Sequence, residues 1–422
     1  MNVNLSDIVN RDGLSRTLDL LRVRPDDAVH AAWGKRVVQV LLLVALAGAA
    51  AALTALVRGH HVMGTTSEIS WGVLIATYVF LLHSVTGLCL VSSLAHVFGF
   101  KVFEPIAMRG TLLAFLTLLV GFSVIATEIE APFKLMKWVV LSPNPTAPIW
   151  WMGTLYGVYL ALLATELFFL FTKNHARAKV AGLLTVVAAV AAHSNLGAVF
   201  GLSHSRAFWA GPLVPVSFVA TALVCGAAVL ILLVTVGDYF GNQGALRPEN
   251  EVLVDTLRKL LALFLAILTV FTAWKLISGV QGGHYGKYEV TMAALTGPLF
   301  VSFWLFEVLL GLVVPLVLLL GPWRRSWRAV ALAGFLPMLS IFVMRFNFVL
   351  QGQMFSLKPV VGQLGERYTY QPAFKGNPEG FLSYTPSLVE ALIVVGAIAA
   401  ASLLYIASQR VLRMPTQEES HG

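Results

Sequence analysis

Ten apolar runs, each about twenty residues or longer, recur along the whole of the 422-residue chain. As a helix, about twenty residues cross the roughly 30 Å of bilayer hydrocarbon. In lipid only helices and closed barrels satisfy every backbone N–H and C=O, and these runs are continuously apolar rather than alternating, which selects helices. They fall at 37–57, 70–97, 108–127, 149–172, 177–201, 212–236, 256–280, 294–320, 326–350 and 386–410. Only 12% of residues are charged and 58% are hydrophobic, against roughly 25% charged in soluble domains. The chain therefore reads as an all-α polytopic membrane protein with ten transmembrane helices, its partner the lipid bilayer.

Orientation follows from the cations. With the N-terminus in the cytoplasm, 19 of the 29 Lys and Arg fall on cytoplasmic segments and eight on the opposite side, while Lys275 and Arg345 lie within spans. The positive-inside rule then places both termini in the cytoplasm of a bacterial inner membrane. It also accounts for the formal charge of +8 without nucleic acid. Trp150 and Trp151 fall at the periplasmic start of span 4, where an aromatic belt sits. Cys89 and Cys225 both lie inside spans, so neither a disulfide nor a cluster site is expected.

Three regions are expected: a cytoplasmic N-terminal segment at 1–36, a ten-helix domain at 37–410 and a cytoplasmic tail at 411–422. The first is polar and charged, unlike a cleaved leader, with Leu14, Leu18 and Leu21 at the spacing of an amphipathic surface helix. The long periplasmic connection 351–385 mixes Tyr368, Tyr370, Phe374, Phe381 and Tyr384 with Lys358, Arg367 and Lys375, a composition enriched at protein interfaces. The alternative is a loop that caps its own bundle. A weak internal repeat sets Glu166 of span 4 against Glu307 of span 8, and His193-x-Asn195 of span 5 against Arg345-x-Asn347 of span 9. Two four-helix bundles, spans 2–5 and 6–9, flanked by spans 1 and 10, fit that repeat.

Polar side chains within these spans are the candidates for chemistry, because a charge at mid-bilayer costs roughly 2.5–3.5 kcal/mol on insertion scales. In span 4, Tyr156, Tyr159, Leu163 and Glu166 share one helical face, a line of hydroxyls leading from the periplasmic end to a carboxylate. The alternative is two interfacial tyrosines and a packing glutamate. His83 lies near the middle of span 2, with His193 in the same expected bundle toward the periplasm. Either can be a hydrogen-bonded packing residue, yet an imidazole can also exchange protons with a carbonyl or hydroxyl oxygen. His193 and Asn195 are about 200° apart on their helix and cannot face one pocket. Glu128 and Glu130 end span 3 at the periplasmic face as solvated carboxylates. Ser387-x-x-Glu390 reads as a capping box at the start of span 10. Lys275 can snorkel, and the expected partner of Arg345 is Glu307 or Glu390.

Several of these residues fall in an order that resembles the NrfD-like family of quinone-interacting membrane subunits. They are a histidine-bearing second span, an acidic-x-x-x-Pro turn after span 3 (Glu128 to Pro132), a Trp-Met-x-x-x-Tyr start to span 4 (Trp151 to Tyr156) and Arg345-Phe346-Asn347 late in span 9. The ten-span length is similar to the branch found in the menaquinone reductase complex Qrc, alternative complex III and periplasmic hydrogenases. The resemblance implies a menaquinone (or other quinone) site in the first bundle near the periplasm and no haem in this subunit. It also implies a periplasmic ferredoxin-like iron–sulfur partner, with a molybdopterin-type or multihaem cytochrome subunit beyond it. Carried over by position, His83 contacts the quinone or its proton path, and Glu166 and His193 belong to the polar interior of that bundle. The chain departs at the turn after span 3, with Glu128 and Ala131 where many relatives have the Asp and Arg of Asp-Leu-Gly-Arg-Pro.

The quinone-binding candidates are thus His83, Tyr156, Tyr159, His193 and Glu128, and the proton-path candidates Glu166, His193, Glu307 and Arg345. No metal site is expected. Two other functions compete: a b-type cytochrome with His83 and His193 as axial ligands, and a secondary transporter coupled through Glu166 and Glu307. Transport helices are typically interrupted at mid-membrane, whereas span 4 has no break and span 8 has Pro298 only near its start.

Overall fold

Each apolar run is a helix. The computed structural model describes residues 9–10, 12–22, 29–129, 132–282, 286–355, 360–361, 368–369 and 381–412. Glu130, Ala131, the loop residues Lys358, Arg367, Tyr370, Phe374 and Lys375, the side chains of Leu14 and Tyr368, and residues 413–422 lie outside that description. Span 1 is Val29–Arg58, span 2 Val73–His96, span 3 Glu104–Glu128, span 4 Pro148–Phe171 and span 5 His175–Gly201. Span 6 is Leu213–Gly241, span 7 Glu251–Gln281, span 9 Trp327–Gln351 and span 10 Leu388–Val411.

Two elements differ from the sequence-based limits. Span 1 begins earlier, because a helix carries its ladder past the hydrocarbon edge through His30, Lys35 and Arg36. The expected span 294–320 is broken. Lys287–Leu295 is a separate short helix, and the break covers Gly297 and Pro298, which interrupt a helical ladder. Span 8 then winds as a π-helix over Ser302–Val313 before returning to α over Val314–Leu320. π-Helical turns are rare and cluster at functional sites.

Spans 2–5 pack on one another as one bundle and spans 6–9 as a second, while spans 1 and 10 pair on the outside against span 3. The most enclosed helices are spans 2 and 6, 89% and 67% buried along their apolar stretches against 17% for span 1. These two belong to different bundles, so the most enclosed part of the molecule is the seam between bundles. There Gly87 and Gly226 let the helices meet backbone to backbone, and a Cβ on either would collide with the main chain of the other. Span 9 also reaches span 2 across this seam.

Candidate functional site

Five of the candidates, His83, Tyr156, Tyr159, His193 and Arg345, meet at the seam. Tyr156, Tyr159, Leu163 and Glu166 are all fully buried, so the face predicted on span 4 is its inward face. Tyr156 Oη lies 3.0 Å from His193 Nδ1, and the His193 ring stands edge-on to His83 with centroids 4.4 Å apart. His83 Nδ1 lies 2.6 Å from the Val79 carbonyl one turn earlier. A carbonyl only accepts, so Nδ1 carries the proton, and in the neutral ring Nε2 presents its lone pair. Nε2 of both His83 and His193 is buried without a hydrogen-bond partner among the described residues. Tyr159 donates to Val85 O at 3.3 Å, and its ring lies 6.2 Å from that of Tyr156. Asn195 turns away and donates to Pro148 O at 2.9 Å, as the helical angle requires.

The second bundle completes the wall. Phe218 of span 6 packs on both histidines, with centroids 5.0 and 6.1 Å away. The Arg345 guanidinium lies 4.2 Å from the centre of that same ring, a cation–π contact in a desolvated setting. The sequence-based pairing of Arg345 with Glu307 or Glu390 is not made. Arg345 Nη2 donates to Thr221 Oγ1 at 2.6 Å, and Nε has no partner. The reason is helical phase: Arg345 and Asn347 are two residues apart and face opposite sides of span 9, so the arginine turns to the seam. Asn347 takes Glu307, donating to Oε1 at 2.6 Å while accepting from Ser302 Oγ at 2.8 Å. Lys275 Nζ stands 3.6 Å from Glu307 Oε2.

Toward the N-terminal side of the membrane the first bundle holds a second polar group. His96 Nε2 and Glu166 Oε1 are 2.8 Å apart, with Thr111 Oγ1 donating to the same oxygen at 3.4 Å. Glu166 Oε2, Ser92 Oγ and Ser93 Oγ are buried nearby without partners. Sequence reasoning did not single out His96, which closes span 2. The signal available was its place at the same depth as the glutamate.

An aromatic roof covers the histidines on the opposite side. Trp71 stacks on Trp209 at 5.2 Å, Phe200 stands edge-on to both, and Phe348 lies 5.3 Å from Phe200. Gln353 fixes Trp71 through its backbone, accepting from its N–H at 3.0 Å and donating to its carbonyl at 2.9 Å. Beside the roof, Glu390 forms the expected capping box with Ser387 and does more. It also accepts from Gly64 N–H at 2.7 Å and from Tyr384 Oη at 2.5 Å, while Tyr384 accepts from Val73 N–H at 3.0 Å. Burial, reinforced by the bond to Glu390, pushes the Tyr384 phenol far above its usual range, so it stays protonated and donates. Glu128 is buried rather than solvated, beside the Gly72 backbone. It sits with Glu390 and Tyr384, outside the contacts that join His83 to His193.

Comparison with known proteins places this architecture. The family described as "Polysulphide reductase, NrfD" matches residues 61–357, which covers the two bundles and leaves out spans 1 and 10. The chain belongs to the NrfD family. It is similar to the Hdr-like menaquinol oxidoreductase integral membrane subunit of Archaeoglobus fulgidus, 26% identical over 83% of this chain and 86% of that one. It is also similar to a selenate reductase subunit of Mesobacillus selenatarsenatis, 24% identical over 90% of this chain and 95% of the relative. As an NrfD-family chain it is an integral, multi-pass membrane protein.

Proposed function

We propose that this chain is the membrane-anchoring, quinone-binding subunit of an oxidoreductase complex in the cytoplasmic membrane, exchanging electrons with menaquinone and supplying or removing the accompanying protons. One observation carries the reading. At the seam, His83 gives its Nδ1 proton to a backbone carbonyl and leaves Nε2 buried and unpartnered, beside an equally unpartnered His193 Nε2. A buried polar atom without a partner costs about 1–3 kcal/mol, and a quinol head group would give these two atoms partners, its hydroxyl donating to His83 Nε2. Quinone supplies two-electron, two-proton redox chemistry when bound. Within the pocket, His83 Nε2 offers an acceptor for a quinol hydroxyl, and His193 exchanges protons with Tyr156 through Nδ1. The Arg345 cation behind Phe218 favours any negative charge that develops on the head group. The name of the Archaeoglobus relative supports menaquinone as the substrate.

Protons reach the pocket from the cytoplasmic side in this reading. Glu166 and His96 form the intake, and Ser92, Ser93 and Tyr159 stand between them and Tyr156, with water bridging the gaps. Both termini are cytoplasmic. Both relatives are named as subunits, which supports a periplasmic ferredoxin-like iron–sulfur partner meeting the 351–385 loop, with a molybdopterin-type or multihaem subunit beyond. A haem held between His83 and His193 is disfavoured, since rings 4.4 Å apart at 84° leave no room for a macrocycle between them.

The test is His83→Ala in the intact complex. Quinone-linked turnover should fall at least about tenfold, the loss expected for a positioned proton-transfer group, while electrons still enter the partner from its own donor. Turnover near wild type would make His83 a packing residue and remove the argument for this pocket.

A further inference from the structure

The turn between spans 8 and 9 carries cations that the fold does not use. Pro322–Arg325 forms a single 3₁₀ turn, and with Leu320 and Gly321 it borders a surface cavity of about 420 Å³ lined by Arg324 and Arg325. Neither arginine side chain makes a hydrogen bond, ion pair or ring contact with any described residue. Arg328, one turn on, lies 5.5 Å from the centre of the Trp327 ring. At the start of the neighbouring span 7, Asp255 is already taken, since it pairs with Arg258 at 2.8 Å and Lys259 at 2.7 Å. Nor are these arginines needed to cap span 8, because Arg258 Nη1 donates to Leu319 O at 2.6 Å. Exposed, unpaired guanidinium groups in a rigid turn suit bidentate contact with phosphate oxygens.

What distinguishes this turn from a site for a soluble anion is the surface that leads to it. Val313, Val317 and Leu320, spaced i, i+4, i+7, form an exposed strip along span 8, and Trp323 beside the cavity is 54% exposed. An apolar strip that ends at an interfacial tryptophan and paired arginines matches the two halves of one molecule, an acyl chain and an anionic head. The geometry points to a binding site for an anionic phospholipid at the 8–9 turn, its phosphodiester on Arg324 and Arg325 and its chain along the strip. This site lies on the opposite face of the membrane from the aromatic roof and is independent of the quinone reading.

The experiment uses the full chain in a neutral detergent, with lipid retention read by native mass spectrometry. Wild type should retain dioleoyl-phosphatidylglycerol and not dioleoyl-phosphatidylcholine. R324Q/R325Q should lower phosphatidylglycerol occupancy at least about tenfold, whereas K173Q/R177Q, in the 4–5 turn on the same face, should stay within about twofold of wild type. Equal retention of both lipids by wild type overturns the proposal without reference to any variant. Undiminished retention by R324Q/R325Q, or an equal loss in K173Q/R177Q, overturns it as well. Displacement of phosphatidylglycerol by millimolar inorganic phosphate would mark a site for soluble anions and overturn the lipid assignment.

Discussion

The two bundles each bury one glutamate, and they treat it differently. In the first, Glu166 sits on a regular α-helix with the His96 imidazole at 2.8 Å and the Thr111 hydroxyl at 3.4 Å. In the second, Glu307 sits on a π-helical stretch between an amide and an ammonium, Asn347 at 2.6 Å and Lys275 at 3.6 Å. An amide does not titrate, and Lys275 is one-third exposed while the carboxylate is 2% exposed. The internal repeat thus keeps the acid and changes its company. One copy meets an imidazole and a hydroxyl from spans 2 and 3, and the other joins spans 7, 8 and 9.

That contrast can be broken by experiment. The largest effect is expected at Glu166. Glu166→Gln in the complex should slow quinone-linked turnover at least about tenfold and abolish proton uptake from the cytoplasmic side of oriented vesicles, with quinone affinity unchanged. Glu307→Gln should leave turnover within about twofold. Equal losses in both would mean that the bundles share one proton route. Weakened quinone binding in Glu166→Gln would place the pocket deeper than His83 and His193.

Stability should sort the other way. Asn347→Leu strips Glu307 Oε1 of its donor and Ser302 of its acceptor, so unfolding in detergent should be easier by about 1–3 kcal/mol. Thr111→Val removes a 3.4 Å contact to an oxygen that His96 also holds and the hydroxyl's 3.0 Å bond to Ala107 O in its own helix, and should cost less than about 1 kcal/mol by the same measurement. The smallest effect belongs to Lys275→Met. A partly exposed pair at 3.6 Å is worth roughly 0–1 kcal/mol, and methionine keeps much of the contact with Phe303 beneath the ammonium. A larger loss there would show that the lysine neutralises Glu307 in earnest.

The spans were legible because hydropathy and length together decide a membrane helix. The inward face of span 4 was legible because Tyr156, Tyr159, Leu163 and Glu166 obey the 3.6-residue period. The Ser387–Glu390 cap was legible because it is local. Phase within a helix can be read from one strand of text; the register between helices cannot. Where Arg345 goes depends on how far span 9 slides against spans 2 and 6, and its approach to span 6 is made where Gly334 meets Ala228 and Ile231, more than a hundred residues away in sequence. The same holds for Phe218, which no polarity signal marks, and for His96, whose partner lies on span 4. The π-helical winding of span 8 has no simple sequence signature, although Gly297 and Pro298 announce the break before it.

The Glu390 carboxylate holds Gly64 and, through Tyr384, Val73, and so joins the start of span 10 to the approach and start of span 2. Ribosomes deliver these segments more than three hundred residues apart. Span 2, with His83, is inserted early and must wait, its N-terminal end unpinned, until the tenth helix emerges. The clamp beside the aromatic roof is therefore closed by the last span made. A chain stalled before Leu388 would place all of His83, His193 and Arg345 in the bilayer and still lack the clamp beside their roof, which makes the arrival of span 10 a natural checkpoint for assembly with partner subunits.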